Sequence, residues 1–376
     1  MTKTLTLALF SFLVFSAAAQ DASSFYLEGL KLKDEKKSRE AAEKFKRAIA
    51  LKANYTEALY ELGWCQNDIK EYTSALSNLR KARNGWPSIP KVYFELGYAF
   101  QKLDLLDSAK KCFNRCIELK PDYSGAWKQL GYLAWDNDNY QEALEKFAEF
   151  ERVAKTPPAE YLYWYRKGFA YNATKEYEKA KTALLKSLDY KKDNLNTYLE
   201  LGFSCTRLKQ GDDAIAWFKK AQEVDPASHV SYNGIGEVYR DIKKNYDEAV
   251  SWYRKALNVK ENERKACFGI GFCYNATGKY TDAIPYFKTA LEQEPTYTAA
   301  FVELGYSYFK TDKLDDAITN LKRALELNPK NENARYYAVL VYVRQRNKQA
   351  AQRMVDELQA LNSKYVAELQ KKVDAM

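Results

Sequence analysis

The stretch FVELGYSYFKTDKLDDAITNLKRALELNP, residues 301–329, decides the fold of this chain. Apolar residues recur in it at three- and four-residue steps over two segments of roughly 13 residues each, which predicts two amphipathic helices. The small residues Gly305 and Ala317 are placed where these helices would cross, and Pro329 stops the second helix. The stretch therefore predicts one helical hairpin.

The same pattern recurs in rows of 34 residues. A glycine marks the first helix of each row, at positions 29, 63, 97, 131, 168, 202, 236, 271 and 305. Each glycine is followed by an alanine, at 41, 75, 109, 143, 180, 214, 249, 283 and 317. Four residues further stands a large apolar residue: Phe45, Leu79, Phe113, Phe147, Leu184, Phe218, Tyr253, Phe287 and Leu321. Such a period indicates a stacked repeat array, because one row cannot bury its own apolar face.

The chain resembles the tetratricopeptide-repeat family over nearly its whole length after residue 20. The ninth row carries the family signature at Phe301, Leu304, Gly305, Tyr308, Ala317, Leu321, Ala324 and Pro329. This resemblance implies an all-α, right-handed α-solenoid of about ten helical hairpins, in which the first helix of each pair lines a concave groove that takes a partner segment.

We predict that the chain after residue 19 is divided into three groups of repeats. Residues 20–160 hold four repeats starting at about residue 22, residues 161–331 hold five, and residues 332–376 hold a degenerate tenth repeat and a C-terminal capping helix. Two insertions interrupt the period. Three extra residues around Thr156-Pro157-Pro158 predict a bend or joint, and one extra residue near Asn245 predicts a longer turn.

Residues 1–19 have the pattern of a signal peptide. Lys3 supplies a positive charge, Leu5–Phe15 an apolar run, and Ala17 and Ala19 the small residues before cleavage ahead of Gln20. An uncleaved anchor is the alternative, but the run is shorter than the about 20 residues of a membrane-spanning helix. Three Asn-x-Thr triplets match acceptors for N-glycosylation, but we interpret them as chance and prefer a bacterial periplasm to a secretory lumen. We therefore expect an exported, periplasmic protein that meets a membrane only indirectly.

Composition excludes a nucleic-acid partner and argues against a disulfide framework. The formal net charge is +9, from 59 basic and 50 acidic residues that are interleaved along helix faces, so we expect no nucleic-acid partner. Six cysteines at 65, 112, 116, 205, 267 and 273 fall largely at positions that are apolar or small in sibling rows. We expect mostly free, buried thiols rather than a disulfide framework.

Aromatic residues dominate the positions that line the groove in the family, three residues before and one after each glycine. They are Tyr26, Tyr60, Trp64, Phe94, Tyr98, Tyr132, Tyr165, Phe169, Phe203, Phe268, Phe272 and Tyr306, with Trp135 and Phe309 one turn onward. One interpretation is an aromatic ladder that holds an extended peptide, a helix or stacked sugar rings. The other is that the rings fill gaps between neighbouring helix pairs.

The ladder is interrupted in the seventh row, where Asn233, Glu237, Arg240 and Asp241 occupy the groove positions. These side chains either set the register of a partner or form a solvated stretch between two binding segments. A clamp for a partner's terminal carboxylate is not expected. Some members of the family that the chain resembles hold such a carboxylate with a groove lysine and an asparagine one turn later. Here Lys128 stands at the lysine position, but Tyr132 stands where the asparagine would be needed.

The sequence carries little that suggests catalysis. His229 is the only histidine and begins a helix, and Asp312, Asp315 and Asp316 lie at a turn where caps are expected. No nucleophile elbow, phosphate-binding glycine loop or metal-ligand spacing occurs. We therefore predict a non-catalytic scaffold, without cofactor or metal, that binds proteins of the bacterial cell envelope. The alternative is a module that binds peptidoglycan or another polysaccharide.

Overall fold

The computed structural model describes residues 21–376, so the predicted signal peptide lies outside the described residues. Those residues form helices joined by short turns, with no strand among them. The all-α class predicted from the row period is confirmed.

The chain divides into two compact units, the first ending at Lys175 and the second beginning at Glu176. The first unit contains α1 (21–34), α2 (Ser38–Leu51), α3 (Thr56–Asp68), α4 (Tyr72–Gly85), α5 (Pro90–Lys102), α6 (Leu106–Leu119), α7 (Ser124–Asp136), α8 (Tyr140–Ala154) and α9 (Tyr161–Ala173). The predicted block boundary after residue 160 stays a prediction.

The second unit alternates 14-residue and 13-residue helices until its last two, which have 13 and 9 residues. It contains α10 (Tyr177–Tyr190), α11 (Leu195–Arg207), α12 (Gly211–Val224), α13 (His229–Asp241), α14 (Tyr246–Val259), α15 (Arg264–Ala276), α16 (Tyr280–Gln293), α17 (Thr298–Lys310), α18 (Leu314–Leu327), α19 (Glu332–Arg344), α20 (Lys348–Ala360) and α21 (Val366–Asp374). The tenth helix pair and the capping helix are confirmed. We call the first helix of each row its inner helix and the second its outer helix.

In eight of the nine rows, the row glycine lies against the large apolar residue of the same row. A Cβ atom on Gly97 would lie 2.7 Å from the ring of Phe113, and one on Gly305 would lie 2.7 Å from Leu321. Phe113 and Leu321 are fully buried. The glycines are therefore required by close helix packing, because a larger residue would displace the core.

Some core rings also pass into the next row. The ring of Tyr253 would come within 2.8 Å of a Cβ atom on Gly236 in its own row and within 2.5 Å of one on Gly269 in the following row. Phe218 meets Gly202 and Gly234 in the same way. These two rings are packed between glycines of consecutive rows.

Both insertions lie in turns. Helix α8 ends at Ala154, Lys155 follows with a φ of 61°, and the chain stays non-helical as far as Glu160. The double proline thus ends helical structure as predicted, whereas its role as a joint stays a prediction. The extra residue near Asn245 lengthens the turn between α13 and α14, and Asn245 caps α14 by accepting a hydrogen bond from the Glu248 amide.

The turns between paired helices repeatedly use the left-handed backbone region. Lys70, Lys209 and Asp312 have φ angles of 66°, 61° and 61°, and Gly278 has a φ of 77° with open space around its missing side chain. Left-handed backbone disfavours residues with a Cβ atom. Glycine is therefore the unstrained choice at this position.

We expect Gly278→Ala to lower the free energy of unfolding by about 1 kcal/mol, and Lys209→Gly to raise it by up to about 1 kcal/mol. Urea unfolding followed by circular dichroism measures both changes. The same sign of effect in the two variants would show that backbone strain at these turns does not control stability.

Candidate partner-binding faces

The groove positions form two sets of rings. The minus-three rings stand three residues before the row glycine, and the plus-one rings stand one residue after it. Each of the two units presents its own inner-helix face.

The minus-three rings pack at row junctions. In the first unit Tyr26 lies 5.1 Å from the ring of Tyr55, and Phe94 lies 5.1 Å from the ring of Tyr123. Tyr55 and Tyr123 are the N-cap residues of the following inner helices. The second unit repeats this contact, with 5.0 Å between the rings of Phe268 and Tyr297. These contacts agree with the gap-filling interpretation of the minus-three rings.

Tyr60 is buried, with 6% of its surface exposed. Trp86 packs beside it at 6.1 Å, and the Lys91 ammonium lies 4.2 Å from its ring centroid. The expectation that Tyr60 presents an open aromatic surface is therefore wrong, since the start of the next row covers it. Burial raises the pKa of the Tyr60 hydroxyl far above its ordinary value.

Four of the plus-one rings pack against the first residue of the preceding outer helix. Tyr98 lies 6.4 Å from Tyr72, and Phe169 lies 5.3 Å from Tyr140. In the second unit Phe203 lies 6.2 Å from Tyr177, and Tyr306 lies 5.7 Å from Tyr280. Most of these contacts are edge-on or tilted, a favourable arrangement that leaves part of each ring accessible.

Cations flank the plus-one rings. The Lys33 ammonium lies 4.2 Å from the Trp64 ring and 2.5 Å from the Glu61 carboxylate. Lys102 lies 5.3 Å from the ring of Tyr98. In the second unit the guanidinium of Arg207 lies 5.7 Å from the Phe203 ring, which is 39% exposed. Such pairs place a cation beside an apolar surface. The charge of Lys33 is neutralised by Glu61, whereas Lys102 and Arg207 form no ion pair among residues 21–376.

Tyr132 is the exception among the plus-one rings, because only 8% of its surface is exposed. Its hydroxyl donates to Glu160 at 2.9 Å, and the Arg166 guanidinium lies 4.6 Å from its ring. The expectation of an accessible ring is wrong here as well. Lys128 forms an ion pair with the same Glu160 at 2.9 Å, so the lysine at the clamp position already has an internal carboxylate partner.

Trp135 lies at the centre of a half-buried aromatic cluster. Its ring is 5.4 Å from Phe169 and 6.2 Å from Tyr140, and the Arg166 guanidinium lies 4.7 Å from it. Tyr165 lies 6.3 Å from Phe169. The indole N–H of Trp135 is buried and has no hydrogen-bond acceptor among residues 21–376. The cluster has one unsatisfied donor, which is costly in a buried place.

The seventh-row polar residues do not form one surface. Asn233 is buried and donates to Glu263 at 2.7 Å, and Glu263 also accepts a hydrogen bond from the Ala266 amide at the start of α15. Asn233 therefore links two rows and cannot contact a partner in this arrangement, so its assignment to the groove surface is wrong. Its side-chain oxygen has no hydrogen-bond partner within the described residues.

Arg240 and Asp241 form a two-bond ion pair. The Arg240 guanidinium donates to both carboxylate oxygens of Asp241, at 2.7 and 2.6 Å, and lies 5.3 Å from the ring of Phe272. Its side chain is only 16% exposed, whereas Asp241 is exposed and Glu237 is half-buried. Asp241 and Glu237 can thus meet a partner directly, but Arg240 acts mainly as an anchor for Asp241.

The end of the second unit carries a further group of rings. Tyr306 lies 4.7 Å from Tyr337 on α19, and Phe268 lies 6.3 Å from Phe272. Phe309 is half-buried and borders a cavity with Leu340 and Val343. Tyr337 was not expected here, because the tenth row lacks the glycine from which groove positions were counted.

Two carboxyl groups on inner helices, the buried Glu95 and the half-buried Glu303, accept hydrogen bonds from asparagines of the preceding row. Asn67 donates to the Glu95 carboxylate at 2.8 Å, and Asn275 donates to Glu303 at 2.9 Å. Burial raises the pKa of Glu95 to about 7 and raises that of Glu303, while the asparagine hydrogen bonds oppose the shift. Ser307 donates to the Asn275 oxygen at 2.7 Å, but the corresponding oxygen of Asn67 has no partner in the described chain. Sequence reasoning did not find these pairs, although they recur at one row position.

All six cysteines are free; five are buried and Cys112 is half-buried. Burial raises the pKa of the Cys116 and Cys273 thiols to about 12. The expected buried placement is thus confirmed, and these thiols are poor nucleophiles. Residues 21–376 contain no cluster of three or more histidine, cysteine or acidic side chains arranged to hold a metal. None of the helices described between these residues is long and apolar enough to cross a bilayer.

Comparison with known proteins gives the family. Models described as tetratricopeptide repeat match residues 26–89, 90–123, 129–194 and 193–262, and one described as TPR repeat matches 305–345. A model described as anaphase-promoting complex, cyclosome, subunit 3 matches residues 242–324. The chain belongs to the tetratricopeptide-repeat family, whose members generally mediate protein–protein interactions.

The individual relatives are distant. Anaphase-promoting complex subunit 3 of Schizosaccharomyces pombe is 24% identical over 58% of this chain and 33% of its own length. The human protein O-mannosyl-transferase TMTC3 is 28% identical over 38% of this chain and 15% of its own length. This chain therefore spans a third or less of these two curated relatives. A tetratricopeptide-repeat protein from Parabacteroides merdae has a TM-score of 0.52 at 17% identity, covering 66% of this chain and 98% of that structure. That likeness concerns the fold, which is typically non-enzymatic.

Proposed function

We propose that this protein is an exported scaffold of the bacterial cell envelope that binds segments of partner proteins along its inner-helix faces. The observation that carries the proposal is the recurrence of plus-one rings flanked by cations, including Trp64 with Lys33 and Phe203 with Arg207. Aromatic and arginine side chains are enriched where protein interfaces concentrate their binding free energy. Export rests on the leader pattern of residues 1–19.

The carbohydrate alternative is supported less by the ring contacts. Sugar rings stack on flat, open aromatic faces, but one side of Trp64 is occupied by the Lys33 ammonium at 4.2 Å. Trp135 is bordered by Arg166 at 4.7 Å and by Phe169 at 5.4 Å. These two tryptophans have the largest aromatic surfaces of the predicted ladder, so we favour a protein partner.

We expect position-specific cross-linking in cells to identify that partner. A photoreactive phenylalanine at Phe203, on the inner-helix face, should capture the same proteins repeatedly. The same group at Tyr190, which is 47% exposed near the end of outer helix α10, provides the matched control. Mass spectrometry of the adducts should give at least several-fold more of those proteins from position 203.

Equal capture from the two positions would remove the basis for a specific inner-helix face. Retention of the mature chain on polysaccharide, lost in Trp64→Ala and Trp135→Ala, would instead favour the carbohydrate alternative. Cell fractionation tests the location separately, because an exported protein should be recovered in the periplasmic fraction without residues 1–19.

A further inference from the structure

The outer helices of three rows carry the same ion pair, whereas the first, second and seventh rows have the base without the glutamate. Lys220 pairs with Glu223 at 3.0 Å, Arg115 with Glu118 at 2.8 Å, and Arg323 with Glu326 at 2.7 Å. Each pair joins a base two residues after the core ring or leucine of its row to a glutamate three residues further on. In the seventh row these positions hold Lys255 and Asn258, so the base has lost its carboxylate.

Two more cations line the same depression as Lys255. The guanidinium of Arg254 donates to the Tyr274 hydroxyl at 2.9 Å, and the Lys279 ammonium lies 5.8 Å from the Tyr274 ring. Lys255 itself lies 3.7 Å from the ring of Trp252. Among residues 21–376, neither arginine 254 nor lysines 255 and 279 forms an ion pair.

These side chains border a cavity of about 350 Å³ between α14 and the end of α15. Val250 forms part of its floor, and Ser251 and Asn258 add polar groups. Asp247 is its one carboxylate, so the cavity has a net charge of +2. Unneutralised cations around a partly apolar depression complement an acidic segment with little conflicting charge.

We propose that this cavity is a second docking site, on the outer-helix side of the second unit, for an acidic segment of a partner protein. Arg254 and Lys279 would receive carboxylates on either side of Tyr274, and Lys255 would receive a third. The three cations would favour aspartate and glutamate in the bound segment, and Val250 would contact the aliphatic atoms of that segment. The proposal does not use the inner-helix faces and is tested without them.

The test is fluorescence anisotropy with the full chain and a labelled eight-residue peptide in which glutamate alternates with glycine and serine. Asn258→Glu should weaken peptide binding at least tenfold, because the new carboxylate would pair with Lys255 as Glu223 does with Lys220. Asn258→Gln is the matched control, equal in size and neutral, and should bind like the original protein. Position 258 is exposed, so both variants should fold.

A peptide with glutamine in place of every glutamate should not bind. Equal affinity in Asn258→Glu and Asn258→Gln would overturn the site, as would equal binding of the glutamine peptide or no binding at all. Displacement of the peptide by an equimolar amount of inorganic phosphate would assign the cavity to free anions and also overturn the proposal. None of these results affects cross-linking from position 203, so the two proposals fail separately.

Discussion

Replacement of Phe113 by alanine is expected to lower the free energy of unfolding by about 3–5 kcal/mol. Phe113 is fully buried, its ring lies 5.7 Å from that of Phe94, and it fills the space beside Gly97. Alanine would leave a cavity that the surrounding helices can close only in part. Equilibrium unfolding in urea, followed by circular dichroism, measures the loss.

Phe203→Ala is the matched control, because the same atoms are removed from a ring that is 39% exposed. We expect a smaller loss of about 1–2 kcal/mol there, since part of the ring stays in water and its removal leaves no closed cavity. Rows contact mainly their neighbours, so hydrogen exchange should show the Phe113→Ala effect concentrated in α5, α6 and adjoining helices. Similar losses in both variants would contradict the assignment of Phe113 to the core.

The second large effect is a dependence of stability on pH that originates at Glu95. Burial raises the pKa of this carboxyl to about 7 in the folded chain, whereas an unfolded glutamate titrates near 4.3. The folded state therefore holds the proton more tightly, and the ionised carboxylate opposes folding above pH 7. This opposition disappears as the pH falls from about 7 towards 4.3, and its size is up to about 3 kcal/mol.

Glu95→Gln keeps the shape of the side chain and removes its ionisation. We expect this variant to be more stable than the original protein at pH 8 and to lose that advantage by about pH 5. Asn67→Ala should widen the difference between pH 8 and pH 5, because it removes the hydrogen bond that favours the carboxylate. Parallel stability curves for the original protein and Glu95→Gln would show that Glu95 does not titrate in this range.

The fold could be predicted because its determinants are local and repeated. Gly97 and Phe113 belong to one row, and their contact needs only the geometry of a single helical hairpin. Nine repetitions of that spacing leave little freedom for another fold. The two insertions could also be placed from the sequence, since the proline pair at 157–158 and the extra residue near Asn245 both fall in turns.

The candidate site was harder to predict because accessibility is decided between rows. Tyr60 and Trp64 stand on either side of Gly63 in the sequence, and both are predicted groove positions. Tyr60 is nevertheless covered by Trp86 and Lys91. Asn233 was assigned to the surface because its buried partner, Glu263, is 30 residues away. The tyrosines at 55, 123 and 297 recur at a fixed distance from the row glycine, so the period alone could have indicated those junction contacts.

The ring of Tyr253, held between Gly236 and Gly269, has a consequence for how this array can be rearranged. The position of Gly269 holds a glutamate, glutamine or arginine in most other rows, including Glu61, Gln129, Arg166 and Glu303. A row grafted after the seventh would bring such a side chain into the space of the tyrosine ring. The rows of this protein are therefore not interchangeable. The seventh row must be followed by a row with glycine at the position of Gly269, and any other order produces a steric conflict at that junction.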